Sequence, residues 1–342
     1  MRHNGFTTKD IDDLLAQLVP EGSPACLSVA LWKHNRIAYQ YIKGTYASVR
    51  SWRDITPSTP FNIGSITKVI TSLVMLRMEE RNLLSVQDKI VDYLPTFPHD
   101  DVTIEQMMTH SGGYETIQTV LWPKWNESMV KFAAQLGPLL QRKYEPGTRT
   151  CYFPHSHFFL MQIIEKVSGQ KIERIAHREL FQPLNMKHTT YDMRRFKPRT
   201  YVLPCTLYLE EGDLRYDRLR ITGDSNLYST THDLLKLAQA LLNPYGKTPL
   251  SQSLIDRALG NEAFKQPHAH TSVFFKKGDV ALFPFFSKSH SPAVVGHTGF
   301  TGCMFWIDPE QEIAGTILSN MPPFNDAAVY ANLNEILLHW KE

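Results

Sequence analysis

Strand-patterned segments lie near both ends of this chain and helical patterns fill its middle, and that order constrains the fold more than any other feature. Residues 26–32 (CLSVALW) and 36–44 read as two strands around the polar turn Lys33-His34-Asn35. Strand texture returns from about residue 271, in 272–275, 281–283, 302–307 and 312–318. Between them the apolar spacing predicts a helix from Ile66, a short piece at 86–94 closed by Pro95, and a helix at 103–109 ended by Ser111-Gly112-Gly113. Further helices are predicted at 127–142, 157–168 and 231–243, the second of these stopped by Gly169, a good C-cap residue. Amphipathic stretches at 8–18 and 326–340 open and close the chain. The pattern predicts an α/β chain of α+β type, with one sheet built from both ends and a helical lobe inserted. Residues 1–95 with 265–342 would form the sheet lobe, and 96–264 the mainly helical one.

At 342 residues the chain can bury a sizeable core as one large domain or two packed lobes. The balance of 36 basic against 34 acidic residues gives no reason to expect nucleic acid or an anionic membrane as partner. Cys26, Cys151, Cys205 and Cys303 are scattered without a C-x-x-C pair, which argues against a zinc site or disulfide framework and suits reduced thiols in a cytosol. The opening MRHNGFTTK lacks the apolar core of a signal peptide, and no apolar run approaches the ~20 residues of a membrane span. The expectation is a cytoplasmic protein. No H-E-x-x-H pair is present, and His155 and His157 have no third ligand at familiar spacing, so neither metal nor cofactor is expected.

Chemistry concentrates first at Ser65-Ile-Thr-Lys68, where a polar loop turns into the helix carrying Val69, Ile70, Leu73 and Val74. Residues three apart share a helical face, so the Lys68 ammonium can reach the Ser65 hydroxyl. The N–H groups of the helix start suit a developing oxyanion. The plainer alternative is that Ser65 caps the helix and Lys68 is a solvated surface residue.

Two more segments fit the same reaction. Tyr152 follows Pro146-Gly147-Thr148-Arg149, and a phenol beside a lysine ammonium can act as general base to Ser65 and then as general acid to the leaving group. Packing is the competing role for a tyrosine among apolar neighbours. His297-Thr298-Gly299 lies between Val294-Val295-Gly296 and Phe300-Thr301-Gly302, where glycines let a substrate approach the backbone. His297 and Thr298 would supply hydrogen bonds to substrate, and the Phe300 N–H the second oxyanion donor beside Ser65. A turn histidine satisfied by its own loop is the alternative for His297.

The motifs fall in one order: FNIGSITK around Ser65, MMTHSGG around His110, PGTRxxY ending at Tyr152, GDSNLYSTTHDL from Gly223, and GHTGFTGxxxWIDP from Gly296. That order resembles the serine β-lactamase/penicillin-binding-protein superfamily, in the branch of class C β-lactamases, DD-peptidases and related esterases. The resemblance runs from about residue 24 to 340. It implies an antiparallel sheet flanked by helices, with the site in the cleft between the lobes. It also implies that Ser65 is acylated and that Lys68 assists proton transfer. The family's Tyr-x-Asn element reads Tyr152-Phe153-Pro154 here. In the family that amide contacts the lysine matched by Lys68 and the substrate's acyl-amide group. Proline offers neither side-chain donor nor N–H, and among nearby residues only His155 and His157 are candidates to replace it. The family's Lys-Thr-Gly reads His297-Thr298-Gly299, exchanging a fixed positive charge for a group that titrates near ~6.5. Related esterases and D-amino-acid-specific peptidases tolerate this exchange, and both departures point away from efficient β-lactam hydrolysis.

The expected activity is a serine hydrolase or acyltransferase forming an acyl-Ser65 intermediate with a small-molecule ester, thioester or amide. A DD-peptidase, D-aminopeptidase or weak β-lactamase is the alternative within the same chemistry, and a catalytically impaired binding protein the alternative outside it. The aromatic stretches 122–125 (WPKW) and 283–286 (FPFF) are candidates for lining an acyl pocket, against plain core packing. Oligomeric state is left open.

Overall fold

Both ends of the chain meet in one sheet. The computed structural model describes residues 6–19, 25–47, 52–115, 121, 127–192, 195–196, 201–202, 221–242, 246–261, 269–278, 283–321 and 326–341. In chain order the elements are α1 (Thr8–Leu18), β1 (Leu27–Lys33), β2 (Arg36–Lys43), β3 (Thr45–Ala47), β4 (Trp52–Asp54), β5 (Phe61–Asn62), α2 (Thr67–Glu80), α3 (Ile90–Tyr93), α4 (Ile104–Met108) and α5 (Met129–Leu136). Then come α6 (Ser156–Ser168), α7 (Ile172–Ala176), β6 (Tyr228–Ser229), α8 (Thr231–Leu242), α9 (Gln252–Leu259), β7 (Phe275–Lys276), β8 (Val295–Gly299), β9 (Cys303–Asp308), β10 (Ile313–Ser319) and α10 (Ala327–Leu338). The main sheet runs β2-β1-β10-β9-β8-β7, and every neighbouring pair is antiparallel. Strands from the two ends join where β1 pairs with β10, Leu27 opposite Ser319 and Trp32 opposite Ala314. The β1–β2 hairpin turns on His34 and Asn35, both at positive φ, which suits the right-handed twist of the flanking strands.

The inner strands β1, β9 and β10 are covered on both faces and so are buried almost throughout, whereas the edge strand β2 keeps exposed positions. Leu27, Val29, Leu31, Met304, Trp306 and Ile317 point to one face, where Ile11 and Leu15 of α1 and Leu333 and Leu337 of α10 close over them. Ala30, Phe305, Ile307, Ala314 and Leu318 point to the other, into the larger core that holds α2 and α8. Gly315 stands opposite Trp306, and a Cβ there would collide with the indole. The indole N–H donates to Asn334 Oδ1 at 2.9 Å, which ties β9 to α10.

Helix α2 differs from its expected amphipathic character. Its buried residues include Val69, Ile70, Leu73 and Val74, but also Thr67, Lys68, Thr71 and Ser72. It is a central helix packed against α6, α7 and α9, and a helix buried all round shows no solvent face. Its polar side chains are satisfied inside: Thr71 Oγ1 donates to the Gly223 carbonyl at 2.5 Å, and Ser72 Oγ meets His157 Nε2 at 2.8 Å. Elsewhere the expected helix at 127–142 ends at Leu136, where Gly137-Pro138 passes into a 3-10 turn. The piece at 86–94 is helical only over Ile90–Tyr93, and of 272–275 only Phe275 joins the sheet. Within 281–283, Phe283 is not in a strand and the rest lies outside the described residues. Helices α7 and α9 were not among the expected helices, although α9 buries Leu254, Ile255, Ala258 and Leu259 on one face between its caps Ser251 and Gly260. Among the described residues no helix is long and apolar enough to cross a membrane.

Candidate active site

Ser65 occupies a 3-10 turn, Gly64–Ile66, that leads into α2. Gly64 takes φ +52 and donates its N–H to Asn62 Oδ1 at 3.0 Å, while Thr67 Oγ1 donates to the Gly64 carbonyl at 2.6 Å. No side chain caps the turn or the helix. The Ser65 hydroxyl instead faces its chemical partners. Lys68 Nζ donates to Ser65 Oγ at 3.1 Å, and Tyr152 OH donates to the same oxygen at 3.0 Å. Ser65 and Tyr152 are partly exposed, whereas Lys68 is 2% exposed beneath them and lies 5.4 Å from the phenol ring centre. Lys68 is therefore not a solvated surface residue. Its second acceptor is the Asp224 backbone carbonyl, at 2.9 Å.

Tyr152 is placed by the segment after α4. Cys151 N–H donates to the His110 carbonyl at 2.8 Å, Phe153 N–H to His110 Nδ1 at 3.3 Å, and the phenol ring packs 4.6 Å from the imidazole. Strand β8 brings the remaining pieces. A Cβ on Gly299 would collide with the Ile63 carbonyl, and one on Gly64 would lie 3.1 Å from the Phe300 nitrogen. These two glycines let β8 close on the turn that carries Ser65, and the Phe300 nitrogen lies against Gly64, the residue before Ser65. Thr301 Oγ1 donating to the Asn62 carbonyl at 2.9 Å holds the approach. Thr298 is partly exposed beside this opening. His297 is 2% exposed, its Nδ1–H donating to the Thr298 carbonyl at 2.7 Å, with its ring 6.3 Å from that of Tyr152.

The imidazoles around Lys68 are uncharged at neutral pH. Burial pushes His297 well below the ordinary histidine value, and the Lys68 charge pushes it further. Burial does the same for His110 and His157, aided by their neighbours His270 and Lys68. His270, also buried, falls to about 4.

The Beta-lactamase family model matches residues 11–339. The chain belongs to the β-lactamase family. Relatives agree with that assignment. A protein of Escherichia coli K12 named as a D-alanyl-D-alanine carboxypeptidase is 24% identical over 93% of this chain and 84% of its own length. Among solved structures, the octameric penicillin-binding protein homologue from Pyrococcus abyssi superposes with a TM-score of 0.75 at 22% identity, over 96% of this chain and 77% of the other. EstCE1, described as a hydrolase with promiscuous acyltransferase activity, superposes with a TM-score of 0.74 at 17% identity over 97% of both chains. At these identities the structural likeness establishes the fold.

Within this β-lactamase-family chain, Ser65, Lys68 and Tyr152 come together, and Phe300, Gly299 and Thr298 border them. Neither histidine near Pro154 is found bonded to Lys68. His157 bonds Ser72 and Ser156, and His155 bonds Asp224 and Leu121. Sequence reasoning gave no role to Asp224 or to His110. Asp224 reaches Lys68 through a main-chain oxygen, which any residue type supplies. For His110 the signal was present, in a polar Thr-His-Ser-Gly-Gly run after a helix. Of the 283–286 stretch, Phe283 is buried and stacks on Phe275 at 4.7 Å, and Phe275 touches Tyr152 and His297, so it backs the site from the core. The 122–125 stretch lies outside the described residues. Among the described residues no group of three or more His, Cys, Asp or Glu side chains is arranged to hold a metal ion.

Proposed function

We propose that the chain is a serine hydrolase or acyltransferase that forms an acyl-Ser65 ester from a small acyl donor. The observation that carries this reading is the convergence of Lys68 Nζ and Tyr152 OH on one partly exposed hydroxyl, at 3.1 and 3.0 Å. The deprotonated member of the Lys68–Tyr152 pair takes the Ser65 proton, while the other keeps its own, as Oγ attacks the carbonyl carbon. The oxyanion that forms is received by the N–H groups of Ser65 and Phe300. The tetrahedral adduct then expels the leaving group, which departs with the proton. Water, or an alcohol or amine, attacks the acyl-Ser65 carbonyl by the reverse of these steps and frees the hydroxyl.

The uncharged state of His297 supports a preference among donors. A pocket with an uncharged imidazole in place of the family's lysine offers no fixed cation there to a substrate carboxylate, which favours neutral esters and thioesters. The alternative, a peptidase acting on D-amino-acid termini, draws on the name of the Escherichia coli relative. Intact-mass measurement after incubation with a fluorophosphonate, p-nitrophenyl esters, D-amino-acid amides and penicillin separates these. One adduct, absent in Ser65→Ala, with ester turnover exceeding amide and penicillin turnover is the expected outcome. An unmodified Ser65 sinks the proposal, and preferential D-amino-acid amide turnover moves it to the peptidase reading.

A further inference from the structure

The amide that the family places two residues after its tyrosine is absent here, yet Lys68 is firmly held. Three residues at the start of α2 bond a single buried segment. Thr71 Oγ1 donates to the Gly223 carbonyl, Lys68 Nζ to the Asp224 carbonyl, and the Leu227 N–H donates to Thr67 Oγ1 at 3.2 Å. The segment takes its shape from Gly223 and Asn226, both at positive φ. What pins it is the Asp224 side chain, only 5% exposed. Its carboxylate accepts from His155 Nδ1 at 3.2 Å, from Ser225 Oγ at 3.0 Å and from Thr222 Oγ1. His155 in turn is oriented at its far nitrogen, where Nε2 accepts the Leu121 N–H at 3.1 Å. That bond places the ring proton on Nδ1, facing Asp224. Phe132 and Phe153 stand edge-on to the ring and leave it little freedom. His155 follows Pro154 directly and shares with Tyr152 the stretch that enters α6.

We propose that His155 and Asp224 form a positioning pair that takes over the task of the missing amide. The pair locks the 223–226 bend so that the Asp224 carbonyl meets Lys68 Nζ, and it sets a buried carboxylate near a buried ammonium. A lone ammonium in such a place is strongly disfavoured, and a neighbouring carboxylate offsets that cost. Burial raises the Asp224 carboxyl, but the His155 hydrogen bond, the Lys68 charge and Thr222 outweigh it and keep it ionised. The pair touches no substrate and works through Lys68, and the proposal rests on the acyl-Ser65 reading.

The test compares Asp224→Asn, His155→Ala and His155→Asn with the wild-type chain, using a p-nitrophenyl ester across pH. Among the described residues, besides Asp224 and its partner His155, the titratable groups facing Lys68 and Tyr152 are His110, His157, His270 and His297, these four uncharged above about pH 6.5. Removing the carboxylate disfavours the protonated base, so in Asp224→Asn the acid limb of kcat/KM moves about one pH unit lower. With it, kcat falls about 10-fold and KM stays within about twofold, because the lost interaction lies on the acylation machinery. His155→Ala loses about as much, whereas His155→Asn, which keeps a donor where Nδ1 stands, recovers most of it. An unmoved acid limb in a folded Asp224→Asn overturns the proposal. So does equal activity of His155→Ala and His155→Asn, which decides the matter if Asp224→Asn does not fold. Fluorophosphonate labelling of the wild type keeps the two readings apart. An unlabelled wild type defeats the acyl-Ser65 reading, whereas a labelled one with unmoved variants defeats only the pair.

Discussion

Among the described residues the Ser65 hydroxyl has two hydrogen-bond partners, and they contribute differently. Lys68 is buried and fixed between Ser65 Oγ and the Asp224 carbonyl, whereas the Tyr152 phenol is partly exposed at the mouth of the site. In the proposed acyl-Ser65 mechanism a proton passing to a leaving group needs a carrier that faces the substrate, and the proposal gives that role to Tyr152. Tyr152→Phe keeps the ring packed on His110 and Phe275 and removes only the hydroxyl. Its kcat is expected to fall by about 10²–10⁴, with KM nearly unchanged, as for loss of a general acid–base group. Steady-state kinetics with an activated and an unactivated ester checks this. The loss should be larger for the unactivated ester, whose leaving group needs the proton more, and equal losses count against Tyr152 as the acid. Ser65 and Lys68 were legible in the sequence because their partnership is local, three residues apart on one turn. Asp224 was not, because its bond to Lys68 is made by a carbonyl and its partner His155 lies 69 residues away.

At the scale of elements, helix α1 and the hairpin strands were legible because their patterns are short-range and bounded by turns. The character of α2 was not, because Thr71 and Ser72 resemble a polar face until Gly223 and His157 are seen to satisfy them. The short β7 was hard to place for another reason: its two residues pair with β8 across a gap of chain that no local pattern spans. In the proposed mechanism the element that matters most is β8, since its closeness to the Gly64–Ile66 turn sets where the Phe300 N–H stands. Gly299→Ala places a methyl against the Ile63 carbonyl, and backbone must move to admit it. The expected result is a kcat loss of about 10²–10³, the cost of a misplaced oxyanion donor. Labelling at Ser65 should slow in parallel, with the protein still folded by circular dichroism. Unaltered kinetics in Gly299→Ala would remove Phe300 from the oxyanion site.

Across the described residues, five buried histidines fold uncharged. His110, His157, His270 and His297 surround the site, and His290 packs against Trp306 on the far face of the sheet. Burial holds His270 near 4 and His290 near 3, and places the other three well below the ordinary value. In the unfolded chain the same groups titrate near ~6.5. Between those values the unfolded state binds more protons than the folded one, so stability rises with pH and is lost as pH falls below about 6.5. His270 alone, moved from 6.5 to about 4, contributes roughly 3 kcal/mol to that loss at its limit. The contributions overlap because the imidazoles repel one another once charged. Asp224 works in a different window. Its lowered carboxyl adds stability above the ordinary 3.8 that is lost only at still lower pH, so it does not mask the histidines. Thermal melts from neutral pH down to about pH 4.5 should therefore show Tm falling by several degrees, at a few degrees per kcal/mol for a domain this size. His270→Gln removes one such group and should flatten the fall. A wild-type Tm that holds level over that range would mean that the imidazoles take up protons without unfolding the chain.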